Sequence, residues 1–228
     1  SRGLGDVYKR QLTIEAGATV NLNGYEFRVN GTLRAIGTSA DQILFENGTV
    51  TFTKYSSAWN EQTGSGCLIE NAVIKNTLYI NGSLKLSNSE VSTIVVDGGG
   101  SPTIVNNLVR STIRVNDGAP KILNNEISYY AALGGNECSP VISGNFIRYG
   151  IRDGAEVAGG SPVITNNVIS EGDVSVGGVS AVISGNTLNG GGAKYDLGFR
   201  YNGVIGALEI GSSSAVISDN VIDGKGIY

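Results

Sequence analysis

The sequence is dominated by a nine-residue phrase that recurs six times. The copies are SPTIVNNLV from Ser101, APKILNNEI from Ala119, SPVISGNFI from Ser139, SPVITNNVI from Ser161, SAVISGNTL from Ser180 and SAVISDNVI from Ser214. Each copy contains a central Ile, at Ile104, Ile122, Ile142, Ile164, Ile183 and Ile217. An aliphatic residue follows five positions later, at Val109, Ile127, Ile147, Ile169, Leu188 and Ile222. This spacing restricts the chain to very few folds.

The phrase predicts a strand, one left-handed residue, a turn and a second strand. The residue two after each Ile is Asn, Gly or Asp, the types that enter the left-handed region at least cost. Aliphatics five positions apart lie on different faces of a helix, and β-branched residues crowd the phrase, so a helix is excluded. Repetition at about 20 residues is typical of a solenoid, whose coils stack in parallel. We therefore predict an all-β parallel β-helix of roughly ten coils.

The residue three after each central Ile is always Asn, and we predict that these side chains form a hydrogen-bonded ladder inside the coils. Identical amides on successive coils lie about 4.8 Å apart, which is within hydrogen-bonding reach. Two earlier, degenerate copies, around Ile69 and Leu86, carry Ala72 and Ser89 at this position. The ladder is therefore expected to begin at the first Asn of the series, which comprises Asn107, Asn125, Asn145, Asn167, Asn186 and Asn220.

The domain boundaries follow from where the repeat pattern holds. Residues 1–11, SRGLGDVYKRQ, lie outside it and resemble translated sequencing-adapter read-through in metagenomic assemblies, so we interpret them as a non-native leader. Residues 12–228 are expected to form one β-helix domain, a fragment of a longer protein whose flanking domains are missing. A second strand is expected before each copy, at residues 79–80, 94–96, 113–115, 156–157, 174–176 and 208–210.

Composition excludes several classes of function. The net charge is −4 without a Lys/Arg cluster, which argues against a nucleic-acid partner. The sequence has no apolar run of about 18 residues, so no membrane span is expected in this segment. The chain contains no His, which removes the commonest general base and transition-metal ligand. Cys67 and Cys138 lie about four coils apart, too far for a disulfide.

The phrase S-P-x-I-x-N/G-N-x-I resembles the repeats of right-handed parallel β-helix proteins of the pectin-lyase-like superfamily. Residues 12–47 also resemble the entry coils of bacterial and archaeal surface β-helix proteins. The resemblance implies an extracellular, cell-surface or periplasmic location and a partner such as a polysaccharide. That architecture hosts lyases, glycosidases, epimerases and non-catalytic surface domains. The chain lacks the His motifs of the His-dependent members.

We expect a non-catalytic scaffold that contacts carbohydrate. The alternative is a polysaccharide lyase acting on acidic glycans with Arg148 or Lys194 as the base.

Arginine and tyrosine residues recur at one phase of the repeat, six to eight residues after the Ile. They are predicted to form a ligand-binding groove, because aromatic faces stack on sugar rings and Arg forks bind carboxylates and hydroxyls. The ordinary alternative is that these tyrosines pack on the outside of strands. Residues 189–199 are predicted to form an inserted loop, which directly precedes Arg200 and Tyr201 in the sequence. The predicted ligand-binding residues are Tyr129, Tyr130, Arg148, Tyr149, Lys194, Tyr195, Arg200 and Tyr201.

Two smaller features remain open at the level of sequence. Asp97 and Asp117 lie in Gly-flanked corners, and they are either turn formers or, with Asn116, ligands of a calcium ion. No other cofactor is expected. Tyr55 and Trp59 lie in a polar loop, where they either cover the side of an early coil or offer a platform for a ligand.

Overall fold

The computed structural model describes most of the chain as an all-β parallel solenoid without a helix. Its named strands pair in parallel throughout, with one isolated antiparallel bridge between Asn60 and Ser65 in a loop. The described residues are 11–134, 138–153, 160–177, 180–189, 207–211, 215–223 and 226–227.

The first row of strands is a ten-stranded sheet, to which each coil contributes one strand. In most copies this is the strand that carries the central Ile. Ten strands match the predicted number of coils. They are β1 (Gln11–Ile14), β4 (Thr32–Ile36), β7 (Leu68–Glu70), β9 (Lys85–Ser87), β11 (Thr103–Val105), β14 (Lys121–Leu123), β17 (Val141–Ser143), β20 (Val163–Thr165), β23 (Val182–Ser184) and β26 (Val216–Ser218).

Two further rows complete each coil. The second row follows the Asn corner and contains β2 (Thr19–Asn21), β5 (Ile43–Glu46), β12 (Leu108–Val109), β15 (Glu126–Ile127), β18 (Phe146–Ile147), β21 (Val168–Ile169), β24 (Thr187–Asn189) and β27 (Val221–Asp223). The third row contains β3 (Glu26–Val29), β6 (Thr49–Phe52), β13 (Ile113–Val115), β16 (Ala131–Leu133), β19 (Gly150–Asp153), β22 (Asp173–Gly177), β25 (Ala207–Gly211) and β28 (Gly226–Ile227). Two long strands, β8 (Ala72–Ile80) and β10 (Glu90–Val96), run through both rows.

The core is a set of inward-facing aliphatic columns. Because the strands pair in register, Ile122 stacks on Ile142 and Ile142 on Ile164. Alternate residues point inward, so Ile is buried while its neighbours Ser143 and Thr165 are only partly covered. The predicted burial is confirmed at Ile142, Ile147, Ile164, Ile169 and Ile183.

Ile217, which was also predicted to be buried, is 38% exposed. It lies on β26, the last strand of the ten-stranded sheet, so only β23 covers it from one side. The sequence phase is right, and the edge position explains the exposure.

In the repeated phrases and their two degenerate copies, the corner between the first and second rows turns through one left-handed residue, as predicted. In the six repeated phrases this residue is Asn106, Asn124, Gly144, Asn166, Gly185 or Asp219, with φ between 53° and 68°. The degenerate copies use Asn71 and Asn88, both with φ of 49°. Asn, Asp and Gly tolerate this conformation, which β-branched residues avoid.

The Asn ladder is present inside this corner. The Oδ1 of Asn145 accepts two hydrogen bonds from Asn125, one from its backbone N–H at 2.8 Å and one from its side-chain Nδ2 at 3.0 Å. The Nδ2 of Asn145 donates in turn to Asn167 Oδ1 at 2.9 Å and to the carbonyl of Ile122 at 2.9 Å. The same pattern runs from Asn107 to Asn220. Five of the six side chains are at most 3% exposed, so the ladder satisfies backbone groups that water does not reach.

The ladder begins at Asn107, as predicted, and a serine continues it by one coil. Asn107 Oδ1 accepts the backbone N–H of Ser89. The Ser89 hydroxyl accepts the backbone N–H of Ala72 at 3.0 Å and donates to the Ser87 carbonyl at 2.8 Å. A hydroxyl therefore replaces the amide where the repeat is degenerate.

The first strand begins at Gln11, which pairs with Thr32, one residue before the start expected for the domain. Cys67 and Cys138 are both buried and are not joined to each other by a disulfide, and burial raises the pKa of the Cys67 thiol. The strand expected at residues 156–157 falls outside the described residues; in that coil the third-row strand is β19. The described part of the chain contains no helix that meets the length and hydropathy needed to cross a membrane.

Candidate functional site

Three tyrosines meet at the corner between the second and third rows. The rings of Tyr129 and Tyr130 lie 4.7 Å apart, and the ring of Tyr149 from the next coil meets Tyr129 edge-on at 5.1 Å. The backbone N–H of Tyr149 donates to the Tyr129 carbonyl at 2.8 Å, which stacks the two corners directly. All three side chains are half-buried. We call Tyr129, Tyr130, Tyr149 and Arg148 the tyrosine corner.

Arg148 adds a cation to the edge of this cluster. Its guanidinium lies 5.1 Å from the centre of the Tyr149 ring, a cation–π distance. Its Nε donates to Glu171 Oε1 at 3.2 Å, and about half of the side chain is exposed. Within the described part of the chain its Nη groups make no hydrogen bond, so they remain available to a ligand.

A second arginine on this side of the rod is paired with a carboxylate. Arg110 binds Glu90 through two hydrogen bonds, of 2.9 and 3.0 Å. The hydrogen bond from Arg110 holds the pKa of the Glu90 carboxyl below its usual range, and raises the pKa of the guanidinium in return. Arg110 is therefore an ion-pair partner two coils before Arg148, with its Nε and Nη2 bound to Glu90.

Half of the predicted ligand-binding residues lie outside the described residues. These are Lys194, Tyr195, Arg200 and Tyr201. In sequence all four lie between the end of β24 at Asn189 and the start of β25 at Ala207. The four remaining residues form the tyrosine corner.

Trp59 covers the outer face of the first row. The guanidinium of Arg34 and the ammonium of Lys85 lie 5.9 and 5.3 Å from its ring centre. Its indole N–H donates to Glu61, which also binds Lys85 at 3.1 Å. The hydrogen bonds from Trp59 and Lys85 hold the pKa of the Glu61 carboxyl below its usual range. The Trp59 ring is partly buried and lies against two of the protein's own cations, which favours the covering role.

The two aspartates of the calcium hypothesis are held by local turns. Asp97 Oδ1 accepts the N–H of Gly98 at 2.8 Å, and Asp117 Oδ1 accepts the N–H of Gly118. Asp97 Oδ2 is 3.4 Å from the Asn116 amide. No group of three or more His, Cys, Asp or Glu side chains that could hold a metal ion occurs among the residues that the structure describes.

A cleft that sequence reasoning missed lies at the corner where the third row returns to the first. Its volume is about 600 Å³, and it is open to solvent. One polar residue follows directly after each of four stacked strands, and these four residues form its wall. We call it the corner cleft; its lining residues are Arg28, Asn30, Thr53, Lys54, Tyr55, Asn81, Asp97 and Gly98.

The corner cleft left a weak signal in the sequence. Asn30, Thr53, Asn81 and Asp97 each come immediately after an alternating strand, and strand pairing then aligns them as a column. The same side chains are ordinary turn formers, so their types alone indicate no site.

Comparison with models of known families, with curated proteins and with solved structures finds no match for this chain.

Proposed function

We propose that this β-solenoid is a non-catalytic, extracellular or cell-surface domain of the pectin-lyase-like type, a rigid rod that contacts carbohydrate at the tyrosine corner. The observation that carries the proposal is the packing of Tyr129, Tyr130 and Tyr149 from two successive coils beside a half-exposed Arg148.

The geometry of the tyrosine corner supports sugar binding. Each ring is held in place by its neighbour and leaves part of its surface to solvent. Rings that are already fixed lose little conformational freedom when a ligand binds, which favours affinity at a shallow surface. The Nη groups of Arg148, which have no hydrogen-bond partner among the described residues, are suited to hydroxyls or a carboxylate on the ligand. We expect weak binding, in about the micromolar to millimolar range, because the site is open.

The lyase alternative needs a base at this place. Arg148 donates to Glu171, and a paired guanidinium is a poor proton acceptor because it stays charged in proteins. Lys194, the other candidate base, lies outside the described residues. No observation on the described part of the chain favours turnover, so the non-catalytic function is the one proposed.

The test is a glycan array followed by calorimetric titration of the glycans that bind. Tyr149→Ala is expected to weaken binding at least about tenfold, and Tyr149→Phe, which keeps the ring, is expected to retain most of it. Tyr25→Ala is the matched control, because Tyr25 is 74% exposed and lies on an early coil.

Equal affinity in wild type and Tyr149→Ala contradicts the proposed site. Release of unsaturated, ultraviolet-absorbing products from an acidic polysaccharide overturns the non-catalytic function in favour of the lyase.

A further inference from the structure

We infer that the corner cleft is a second ligand site, which takes one uncharged sugar residue with its ring against Tyr55. The inference extends the proposed carbohydrate function to a place that shares no residue with the tyrosine corner. The two sites lie at different corners of the coil and on different coils, so each is tested independently of the other.

Tyr55 supplies the apolar surface of the cleft. Tyr55 is 71% exposed, so most of its side chain is open to solvent. The Lys54 ammonium lies 5.2 Å from the ring centre, and the Thr53 hydroxyl accepts the backbone N–H of Tyr55 at 3.2 Å. This short turn fixes the backbone that carries the ring. An exposed aromatic face fixed in this way suits the C–H face of a pyranose.

The charges of the cleft are balanced. Arg28 and Lys54 contribute two cations, while Asp97 and the neighbouring Glu26 contribute two carboxylates. Arg28 Nε lies 3.6 Å from Glu26 Oε2, and the Asp97 oxygens contact the Gly98 N–H and the Asn116 amide. The two carboxylates would repel an anionic ligand, and the two cations would repel a cationic ligand. The balance therefore favours a ligand without net charge.

Two amides give the cleft both donors and acceptors. The side chain of Asn81 makes no hydrogen bond within the described part of the chain, although the residue is only half-exposed. Asn30 Oδ1 accepts the Thr53 hydroxyl at 2.7 Å, and its Nδ2 has no partner among the described residues. Sugar hydroxyls donate and accept at once, so they match an amide that offers both groups.

Two coils approach closely beside the cleft. A Cβ on Gly82 would lie 2.8 Å from the Thr53 carbonyl oxygen. The backbone next to Asn81 is therefore packed against the neighbouring coil, so little backbone ordering is needed when a ligand binds.

The experiment is saturation-transfer NMR and calorimetric titration on the full chain with three probes. Cellotetraose and mannotetraose are the uncharged probes, and trigalacturonate is the anionic one. Wild type is expected to bind an uncharged probe with a Kd of about millimolar order. Tyr55→Ala and Asn81→Leu are expected to weaken that binding at least about tenfold. Tyr25→Ala, which removes an equally exposed ring elsewhere, is expected to leave it unchanged.

Several outcomes overturn the inference. The inference is wrong if neither uncharged probe binds, or if only trigalacturonate binds. It is also wrong if an uncharged probe binds wild type and Tyr55→Ala with equal affinity. The variant Tyr149→Ala separates the two proposals. If an uncharged probe loses affinity for Tyr149→Ala but keeps its affinity for Tyr55→Ala, the probe binds at the tyrosine corner only. Circular dichroism of each variant confirms that the coil is intact.

Discussion

The substitution Asn145→Leu is expected to be among the most damaging single changes in the chain. It removes five hydrogen bonds of 2.8–3.1 Å: two that Asn145 Oδ1 accepts from Asn125, and three that its Nδ2 donates to Ile122, Ser143 and Asn167. The Asn125 backbone N–H, buried beside it, loses its partner.

The magnitude follows from these contacts. At a net value of about 1 kcal/mol for each hydrogen bond, offset in part by burial of the leucine side chain, the loss is about 3–5 kcal/mol. A domain of this kind is stable by about 5–15 kcal/mol in total. Thr165→Ala, the control in the neighbouring coil, removes one hydroxyl contact with Ser143 at 3.0 Å. Its expected cost is about 0.5–1 kcal/mol.

Urea denaturation followed by circular dichroism measures both changes through the midpoint and slope of unfolding. Asn167→Leu is expected to behave like Asn145→Leu, because its amide makes four of the same five contacts one coil later. If all three variants shift the midpoint equally, the ladder is not a source of stability and the reasoning is refuted.

Two further predictions concern the core and the Trp59 cover. Ile164→Ala is expected to cost about 2–5 kcal/mol and Ile217→Ala clearly less, because Ile217 is 38% exposed; equal losses by urea denaturation would contradict the edge position. The fluorescence of Trp59 is expected to change with pH, with a midpoint below the ordinary pKa of a Glu side chain, because hydrogen bonds from Trp59 and Lys85 lower the pKa of Glu61. Their contacts with the carboxylate stabilise the fold above the unfolded pKa and are lost as pH falls through the lowered one. Lys85→Gln is expected to move this midpoint upward, and an unchanged midpoint would show that Lys85 does not act on Glu61.

The fold was predictable from sequence because the repeat leaves little freedom. The left-handed residue two positions after each Ile marks the corner between two strands. The Asn one position later marks the ladder inside that corner. The structure confirms this at Asn166 and Asn167 and in the other repeated phrases. The continuation of the ladder by one coil through Ser89 was not predicted, since it depends on a hydroxyl reaching the backbone N–H of Ala72.

The candidate sites were less predictable, for a physical reason. The contact between Tyr129 and Tyr149 was expected, because residues at equal phase stack on successive coils. The corner cleft was missed because Arg28, Tyr55 and Asp97 come from early coils of irregular length, in which the repeated nine-residue phrase does not align them. Only strand pairing, with its long strands β8 and β10, brings these residues to one corner.

The ladder also gives the rod an electrical direction. Each amide carbonyl faces the preceding coil, and each amide nitrogen donates to the next carbonyl, from Asn107 through to Asn220. Dipoles aligned in this way add instead of cancelling, as they do along an α-helix, and each bond polarises its neighbours. An amide in the middle of the row is therefore held more strongly than one at either end. A protein without any described helix thus has a partial negative charge toward Asn107 and a partial positive charge toward Asn220, along the axis of its core.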